Sequence, residues 1–259
     1  MSIIIALFLG ILQGLTEFLP VSSSGHLVLF QNIFGLSSEN NILFDVILHL
    51  GTLFAVIIVY RKTILDLIKH PFSKKMRMLI VGTIPTVLIA LIFKKFFVSS
   101  FNGNFLFIGF LATSMLLIFS YYCEKHSKNP ETMSYKNIIV MGIFQGLAIF
   151  PGLSRSGSTT SSALFMNVSK DEALEYSFLL SIPIILVSLV YELLFSSVAV
   201  STLEILPATI GFIASLIFGI ISIKFMKKLV KNNTYIYFAI YLILLSIFLI
   251  LNKYCIKLF

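Results

Sequence analysis

The residues able to do chemistry gather in two short Ser- and Gly-rich segments. The first runs Gln13-x-x-x-Glu17-Phe-Leu-Pro-Val-Ser22-Ser-Ser-Gly25-His26, the second Pro151-Gly-Leu-Ser154-Arg-Ser-Gly157-Ser-Thr159-Thr160. Each reads as a tip followed by a short helix, starting near His26 in one case and near Ser158 in the other. A helix start offers free amides and the positive end of a dipole, so both starts suit an anion. Ser22, Ser23, Ser24, Ser154, Ser156, Ser158, Thr159 and Thr160 add hydroxyl donors, and Gly25 and Gly157 let backbone come close to a ligand. Arg155 adds a fixed charge on a planar fork that matches phosphate oxygens. The ligand implied is compact, anionic and rich in oxygen; phosphate or diphosphate fits best.

The segments are copies of each other. Gly10 to Gly25 aligns with Gly142 to Gly157 at an offset of 132 with no gap, and nine of the sixteen positions are identical. Chance matching of apolar residues explains a shared Leu or Ile, but not a Gln, two Ser and three Gly in register. The differences are as informative. Glu17 stands opposite Ile149, Ser23 opposite Arg155, and His26 opposite Ser158. The first copy therefore holds an acid, a hydroxyl and an imidazole, and the second the cation. Binding and release of an anion has little need of that division. Breaking a phosphoanhydride needs a nucleophile, a proton carrier and a holder of transition-state charge.

On this reading Ser23 is the candidate nucleophile, and His26, three residues on, shares a face with it and moves the proton. Glu17 orients His26 or binds a metal. Arg155 and the two helix starts hold the phosphoryl oxygens, with Ser154, Ser156 and Thr159 as further donors. In the rival mechanism Glu17 or His26 activates water and Ser23 is only a ligand. The bland alternative is that Ser and Gly pack helices in membranes. That alternative has equal weight for any one serine and little for Arg155, because an intramembrane charge is costly and usually functional. Asp45 and His49, spaced i,i+4, share a helix face; a supporting role and a structural buried pair weigh equally there, so neither joins the catalytic set.

The elements that position these residues are helices in lipid. Of 259 residues 58% are hydrophobic and only 12% charged, against about 25% charged in a soluble domain. Six stretches are long enough to span: about 41–60, 77–97, 105–123, 171–195, 205–226 and 234–252. Two capping boxes, Ser169 to Glu172 and Ser201 to Glu204, precede two of them. Four shorter runs, about 2–16, 26–36, 136–149 and 157–168, come as two broken pairs and read as hairpins that enter, turn at mid-depth and return. The fold class expected is an all-α polytopic membrane protein: six transmembrane helices plus two re-entrant helical hairpins, arranged as an inverted-topology repeat. It forms one membrane domain over 1–259, with repeat 1 about 1–126 and repeat 2 about 127–259. Three spans per half invert the second half, so the two tips approach from opposite sides and meet.

The net charge of +8 does not imply nucleic acid. Of 19 basic residues, 13 lie in the stretches Arg61–Arg77, Lys125–Lys136 and Lys224–Lys231, which alternation puts on one side, the cytoplasmic side by the basic-loop rule. Glu39, Glu192 and Glu204 fall opposite, and both termini are expected outside. The apolar start lacks the basic region of a cleaved signal peptide, so it is kept in the fold. Cys123 and Cys255 read as small apolar filler.

The first segment, from Gln13 and Glu17 through Ser-Ser-Ser-Gly-His26, resembles the first motif of the bacterial undecaprenyl-diphosphatase family, also known through bacitracin resistance. Pro151 to Thr159 resembles the second. The family accepts Glu or Gln at the position of Gln13, and the length and helix layout match, so the resemblance covers the whole chain. It implies removal of a phosphate from the isoprenoid lipid undecaprenyl diphosphate, recycling the lipid carrier of cell-wall synthesis at the outer face of the cytoplasmic membrane. It also implies a divalent cation, Mg²⁺ or Ca²⁺, held by Glu17 jointly with the diphosphate. Gln13, Ser22, Ser24, Gly25, Ser154, Ser156, Gly157 and Thr159 are the expected substrate contacts. The oligomeric state stays open, a homodimer included. The strongest rival is a transporter or flippase of an isoprenoid phosphate lipid, which inverted repeats also suit.

Overall fold

The computed structural model of the chain describes residues 1–36, 38–100, 103–126, 130–195, 204–231 and 234–258. These form α1 (Ile3–Phe18), α2 (Ser23–Ile33), α3 (Ser38–Val59), α4 (Arg61–Lys69), α5 (Lys74–Ile92), α6 (Lys94–Ser100), α7 (Leu106–His126), α8 (Tyr135–Leu147), α9 (Arg155–Phe165), α10 (Lys170–Phe195), α11 (Ile205–Lys231) and α12 (Tyr235–Leu251). Among the described residues the one β-type pairing is an isolated bridge between Glu131 and Val168.

By length and composition α5, α7, α10, α11 and α12 each suffice to cross a membrane. The sixth span, α3, passes the same test joined to α4, which bends away from it by 80°. The basic stretch expected as a plain connection thus contains a helix. Its Leu65 and Ile68 are exposed beside Arg61, Lys62 and Lys69, the pattern of a helix lying in a membrane interface. The span expected at 77–97 ends at Ile92, and Lys94 and Lys95 fall in the separate α6. Breaking the chain at Phe93 keeps two lysines out of the apolar helix. Of the expected capping boxes, Glu172 instead accepts from the Met133 N–H at 3.0 Å, and Ser201 to Leu203 lie outside the described residues, as do the side chains of Glu39 and Glu192.

The four short helices make two hairpins. The longest, α1, has 16 residues, roughly 24 Å at 1.5 Å per residue, short of the ~30 Å hydrocarbon core. The first hairpin closes on itself: Phe8 of α1 stacks edge-on against Phe30 and Phe34 at the far end of α2, with ring centroids 4.9 and 5.5 Å apart. The second is clasped at its base, where Glu131 N–H donates to Asn167 O and Ser169 N–H to Glu131 O.

Each hairpin packs on a helix of the other half of the chain. α1 lies on α11 and α8 on α5. The repeated glycines are the reason. A Cβ on Gly10 would sit 2.9 Å from Ala214 Cβ, and one on Gly14 2.8 Å from Phe218 Cβ. Their counterparts Gly142 and Gly146 face Gly82 and Ile89 of α5. A hydroxyl bonds across each seam: Ser222 Oγ donates to Leu15 O at 2.7 Å, and Thr86 Oγ1 to Gly142 O at 2.8 Å. Lipid gives apolar helix faces no reason to associate, so close backbone approach and such bonds hold them together. Of the remaining spans, α3 packs chiefly on α11 and less extensively on α10, and α7 pairs with α12.

Replacing Gly14 with Leu overfills the α1–α11 seam. Such overpacking costs about 1–3 kcal/mol, so the variant is expected to unfold at a lower temperature in detergent than the parent chain. An unchanged midpoint in a thermal melt would show that the seam has slack and that glycine is not required there.

Candidate active site

The two tips touch. A Cβ on Gly25 would lie 2.8 Å from the Gly152 Cα, and one on Gly157 3.2 Å from Pro20 Cβ. Ser156 Oγ donates to Leu19 O at 2.9 Å across the junction. Gly25 and Gly157 thus make room for the opposite hairpin, where the sequence suggested room for a ligand.

Both short helices begin three residues earlier than expected, at Ser23 and Arg155. The cause is an identical cap. Ser22 Oγ accepts from Gly25 N–H at 3.3 Å, and Ser154 Oγ from Gly157 N–H at 3.1 Å. The tip residues therefore form first helical turns. Amides at the first two positions of a helix have no acceptor within it; here these are Ser23, Ser24, Arg155 and Ser156, all beside the junction. Ser22 reaches this geometry with φ 68°, a left-handed conformation that costs a residue with a Cβ about 1–3 kcal/mol.

Glu17 is the hub. Its side chain is 5% exposed and forms an ion pair with the Arg155 guanidinium, itself 17% exposed. Gln13 Nε2 donates to Glu17 Oε2 at 3.0 Å and Ser23 Oγ to the same oxygen at 2.5 Å. His49 Nε2 stands 3.8 Å from that oxygen. Arg155 also donates to Ser177 O at 3.4 Å, and Thr159 Oγ1 lies 2.6 Å from Ser177 Oγ and donates to Arg155 O at 2.9 Å. Ser24 Oγ contacts Ser22 Oγ at 3.4 Å, and Ser154 Oγ contacts Ser156 Oγ at 3.3 Å. Ser23 and Ser24 are half-buried, so the cluster is reachable.

The expected partnership of Glu17 with His26 is not the one the side chains make. His26 Nδ1 lies 2.7 Å from Ser22 O, and Nε2 lies 2.7 Å from the Tyr241 hydroxyl of α12. A carbonyl only accepts, so Nδ1 carries a proton, and Nε2 is taken up by the tyrosine hydroxyl. Neither nitrogen is left for Ser23. The imidazole facing Glu17 is instead His49, whose Nδ1 donates to Asp45 O at 2.7 Å and whose Nε2 is turned to the carboxylate. His49 is the residue the sequence reading left out. Its i,i+4 pairing with Asp45 drew attention, but only the packing of α3 beside the first hairpin shows that it points at Glu17. Asp45 itself takes Gln31 Nε2 at 2.7 Å.

Toward the end of the bundle that carries the basic stretches, the cluster is walled off. Phe18 follows Glu17, Phe178 follows Ser177, and their rings meet edge-on at 5.3 Å; Phe178 meets Tyr60 at 6.2 Å. All three side chains are buried.

The Glu17–Arg155 pair is shielded from water, so removing one partner strands the other. Arg155→Ala is expected to cost about 3 kcal/mol of stability, and Glu17→Gln added to it to recover part of that loss. Thermal melts of the single and double variants in one detergent would decide; strictly additive losses would mean the two charges do not interact.

The model of the family described as bacitracin resistance protein BacA matches residues 6–248. The chain is 42% identical over 246 residues to an undecaprenyl-diphosphatase of Carboxydothermus hydrogenoformans, covering 93% of this chain and 94% of the relative. It is 40% identical over 254 residues to undecaprenyl-diphosphatase 4 of Bacillus thuringiensis, covering 96% of both. An undecaprenyl-diphosphatase of Methanosphaera stadtmanae is 38% identical over 278 residues, covering 97% of this chain and 98% of the relative.

Proposed function

The chain belongs to the bacitracin resistance protein BacA family, and from that membership we propose how its two tips divide the work of breaking a phosphoanhydride. The protein is a membrane-embedded phosphatase of undecaprenyl diphosphate, releasing undecaprenyl phosphate and inorganic phosphate. The lipid carrier of cell-wall synthesis is thereby recycled, and bacitracin resistance follows. The observation that carries the assignment of roles is the Ser23 hydroxyl donating to the Glu17 carboxylate at 2.5 Å, with Arg155 on the other oxygen.

Ser23 Oγ attacks the terminal phosphorus and passes its proton to Glu17 Oε2. The bond from that phosphorus to the bridging oxygen breaks, and the lipid monophosphate leaves with the electron pair. Arg155 turns from Glu17 to the phosphoryl oxygens and joins the amides of the two helix starts, which are already aimed there and need no rearrangement of solvent. Gln13, Ser24, Ser156 and Thr159 hold the surrounding oxygens and the arginine in place, while Ser22 and Ser154 cap the helices that aim those amides. His49 Nε2 takes the proton from Glu17. The carboxylate then accepts a proton from water as water attacks the phosphoserine and returns it to Ser23 Oγ as the P–Oγ bond breaks, freeing phosphate and Ser23, while His49 gives its proton up to solvent. His26 acts on the Ser22 backbone and does not carry protons.

A divalent cation, Mg²⁺ or Ca²⁺, belongs to the same reading. Such ions take six or more oxygens, and no group of three or more His, Cys, Asp or Glu side chains among the described residues could hold one. Glu17 would be the carboxylate that holds it, with the diphosphate supplying further oxygens. Bound there, the cation offsets the charge of the substrate.

These roles are separated by one assay of phosphate release in detergent. Ser23→Ala is expected to lose at least ~10³-fold in kcat, as removal of a nucleophile does, and His49→Ala ~10²-fold, as for a proton carrier. Chelation is expected to stop turnover and added Mg²⁺ or Ca²⁺ to restore it. Trapped phosphate should map to Ser23. Substantial turnover by Ser23→Ala would transfer the attack to water.

We further place the protein in the cytoplasmic membrane with its active site open to the outer face. The aromatic wall supports this, because it closes the cluster toward the basic end, which faces the cytoplasm by the basic-loop rule. The two native cysteines sit near opposite ends of α7: Cys123 within its last turn, and Cys255 on the segment whose Lys253 donates to Asn104 O just before its start. In intact cells a membrane-impermeant thiol reagent should label Cys255 and spare Cys123 until the membrane is opened. The reverse pattern would invert the topology.

A further inference from the structure

The basic end of the bundle holds a pocket of about 730 Å³ that shares no residue with the tips. It lies where α3 bends into α4 and meets α10 and α11. Arg61, Lys62, Lys224 and Lys227 line it on the polar side, and Ile58, Val59, Leu174 and Ile220 line it on the apolar side. Two acids, Asp171 and Glu175, are also present. Glu175 is already matched from outside the lining, by Lys75 Nζ at 2.8 Å. Among the described residues none of the four lining cations takes part in an ion pair. The site therefore carries an excess of positive charge. Lys227 Nζ is held 4.0 Å over the Tyr60 ring, a cation–π contact that fixes its position. Tyr60 lines the pocket too; it is 6% exposed, and its hydroxyl has no hydrogen-bond partner among the described residues. A buried hydroxyl without a partner is unusual.

We propose that this pocket binds a phosphate group, with Lys227, Lys224 and Arg61 as the charged contacts and the Tyr60 hydroxyl as an added donor. Its volume falls within the range of small-molecule sites, about 300–1,000 Å³. Four cations with both guanidinium and ammonium geometry suit a multivalent oxyanion. The apolar side, with Ile58 45% exposed at the bundle surface, suits the first segment of a lipid chain below that phosphate. Phosphate of this kind has two sources, the headgroup of an anionic membrane lipid and free inorganic phosphate. The pocket is also a near neighbour of the catalytic cluster without being part of it. On α10, Asp171, Leu174 and Glu175 line the pocket while Ser177 contacts Arg155, and Phe178 forms the partition with Phe18 and Tyr60.

Hydrogen exchange resolved by peptide separates the two sites. The full-length protein in neutral detergent is exposed to inorganic phosphate, and in nanodiscs phosphatidylglycerol is compared with phosphatidylcholine. At ten times the dissociation constant, opening of the bound segment is expected to slow by about tenfold, here in peptides covering 58–63 and 220–227. Lys224→Gln/Lys227→Gln should abolish that protection, while any protection of 17–26 and 154–159 and the rate of substrate hydrolysis stay as in the parent chain. Protection by both probes assigns a general phosphate site, and protection by phosphatidylglycerol alone a lipid-headgroup site. No protection of 58–63 and 220–227 by either probe, or protection that survives the double substitution, overturns the proposal whatever the protein hydrolyses.

Discussion

The structure depends on keeping two opposite charges together in an apolar interior. Glu17 and Arg155 come from different hairpins, 138 positions apart, and each tip alone would carry an unmatched charge into lipid. An isolated ion at such depth is strongly disfavoured. The cost is offset only when the hairpins meet tip to tip, so the ion pair makes the active site and the assembled fold one condition. The cross-packing of the halves serves the same end. α1 rests on α11 and α8 on α5, so neither hairpin can be placed by its own half.

Within that frame, equivalent positions have taken different work. Gln13 reaches Glu17, whereas its counterpart Gln145 reaches Thr86 Oγ1 at 3.2 Å. One glutamine braces the buried Glu17 and the other a helix seam. The caps have not diverged: Ser22 and Ser154 make the same bond to the glycine three residues on. The duplicated part of the motif is thus the scaffold of glycines, caps and helix starts. The unmatched part supplies Glu17, Ser23 and Arg155, the residues to which the proposed mechanism gives the chemistry, and His26, which braces the Ser22 backbone.

Much of this was legible in the chain itself. Hydropathy located the five long spanning helices, the α3 part of the bent α3–α4 pair and both hairpins, because lipid punishes an unsatisfied backbone so heavily that few arrangements remain. The repeat told which tips meet. Helix starts were misjudged by three residues because the Ser-x-x-Gly cap draws the tip serines into the first turn. Glycine was read as room for a ligand where the structure uses it to admit the other hairpin, a distinction of shape that residue type does not encode. The largest gap was at the histidines. His26 adjoins the motif in sequence and His49 does not, yet His49 faces the carboxylate. Which imidazole arrives is set by the packing of α3, and no spacing within the motif carries that information.

The role left to His26 follows from the strain at Ser22. A non-glycine residue with φ 68° persists only where its surroundings over-determine it. Ser22 is held in three ways: its hydroxyl caps Gly25, and its carbonyl accepts both the His26 amide at 3.2 Å and the His26 ring at 2.7 Å. The ring in turn is pinned by the Tyr241 hydroxyl and packed edge-on against Phe110 at 5.2 Å. Without that anchor the left-handed turn would relax toward ordinary backbone, and Ser23, the next residue, would swing away from Glu17. If Ser23 is the nucleophile and Glu17 its base, as proposed above, a hydroxyl held at 2.5 Å cannot tolerate such a swing, and a histidine with no free nitrogen then acts through the backbone that aims Ser23.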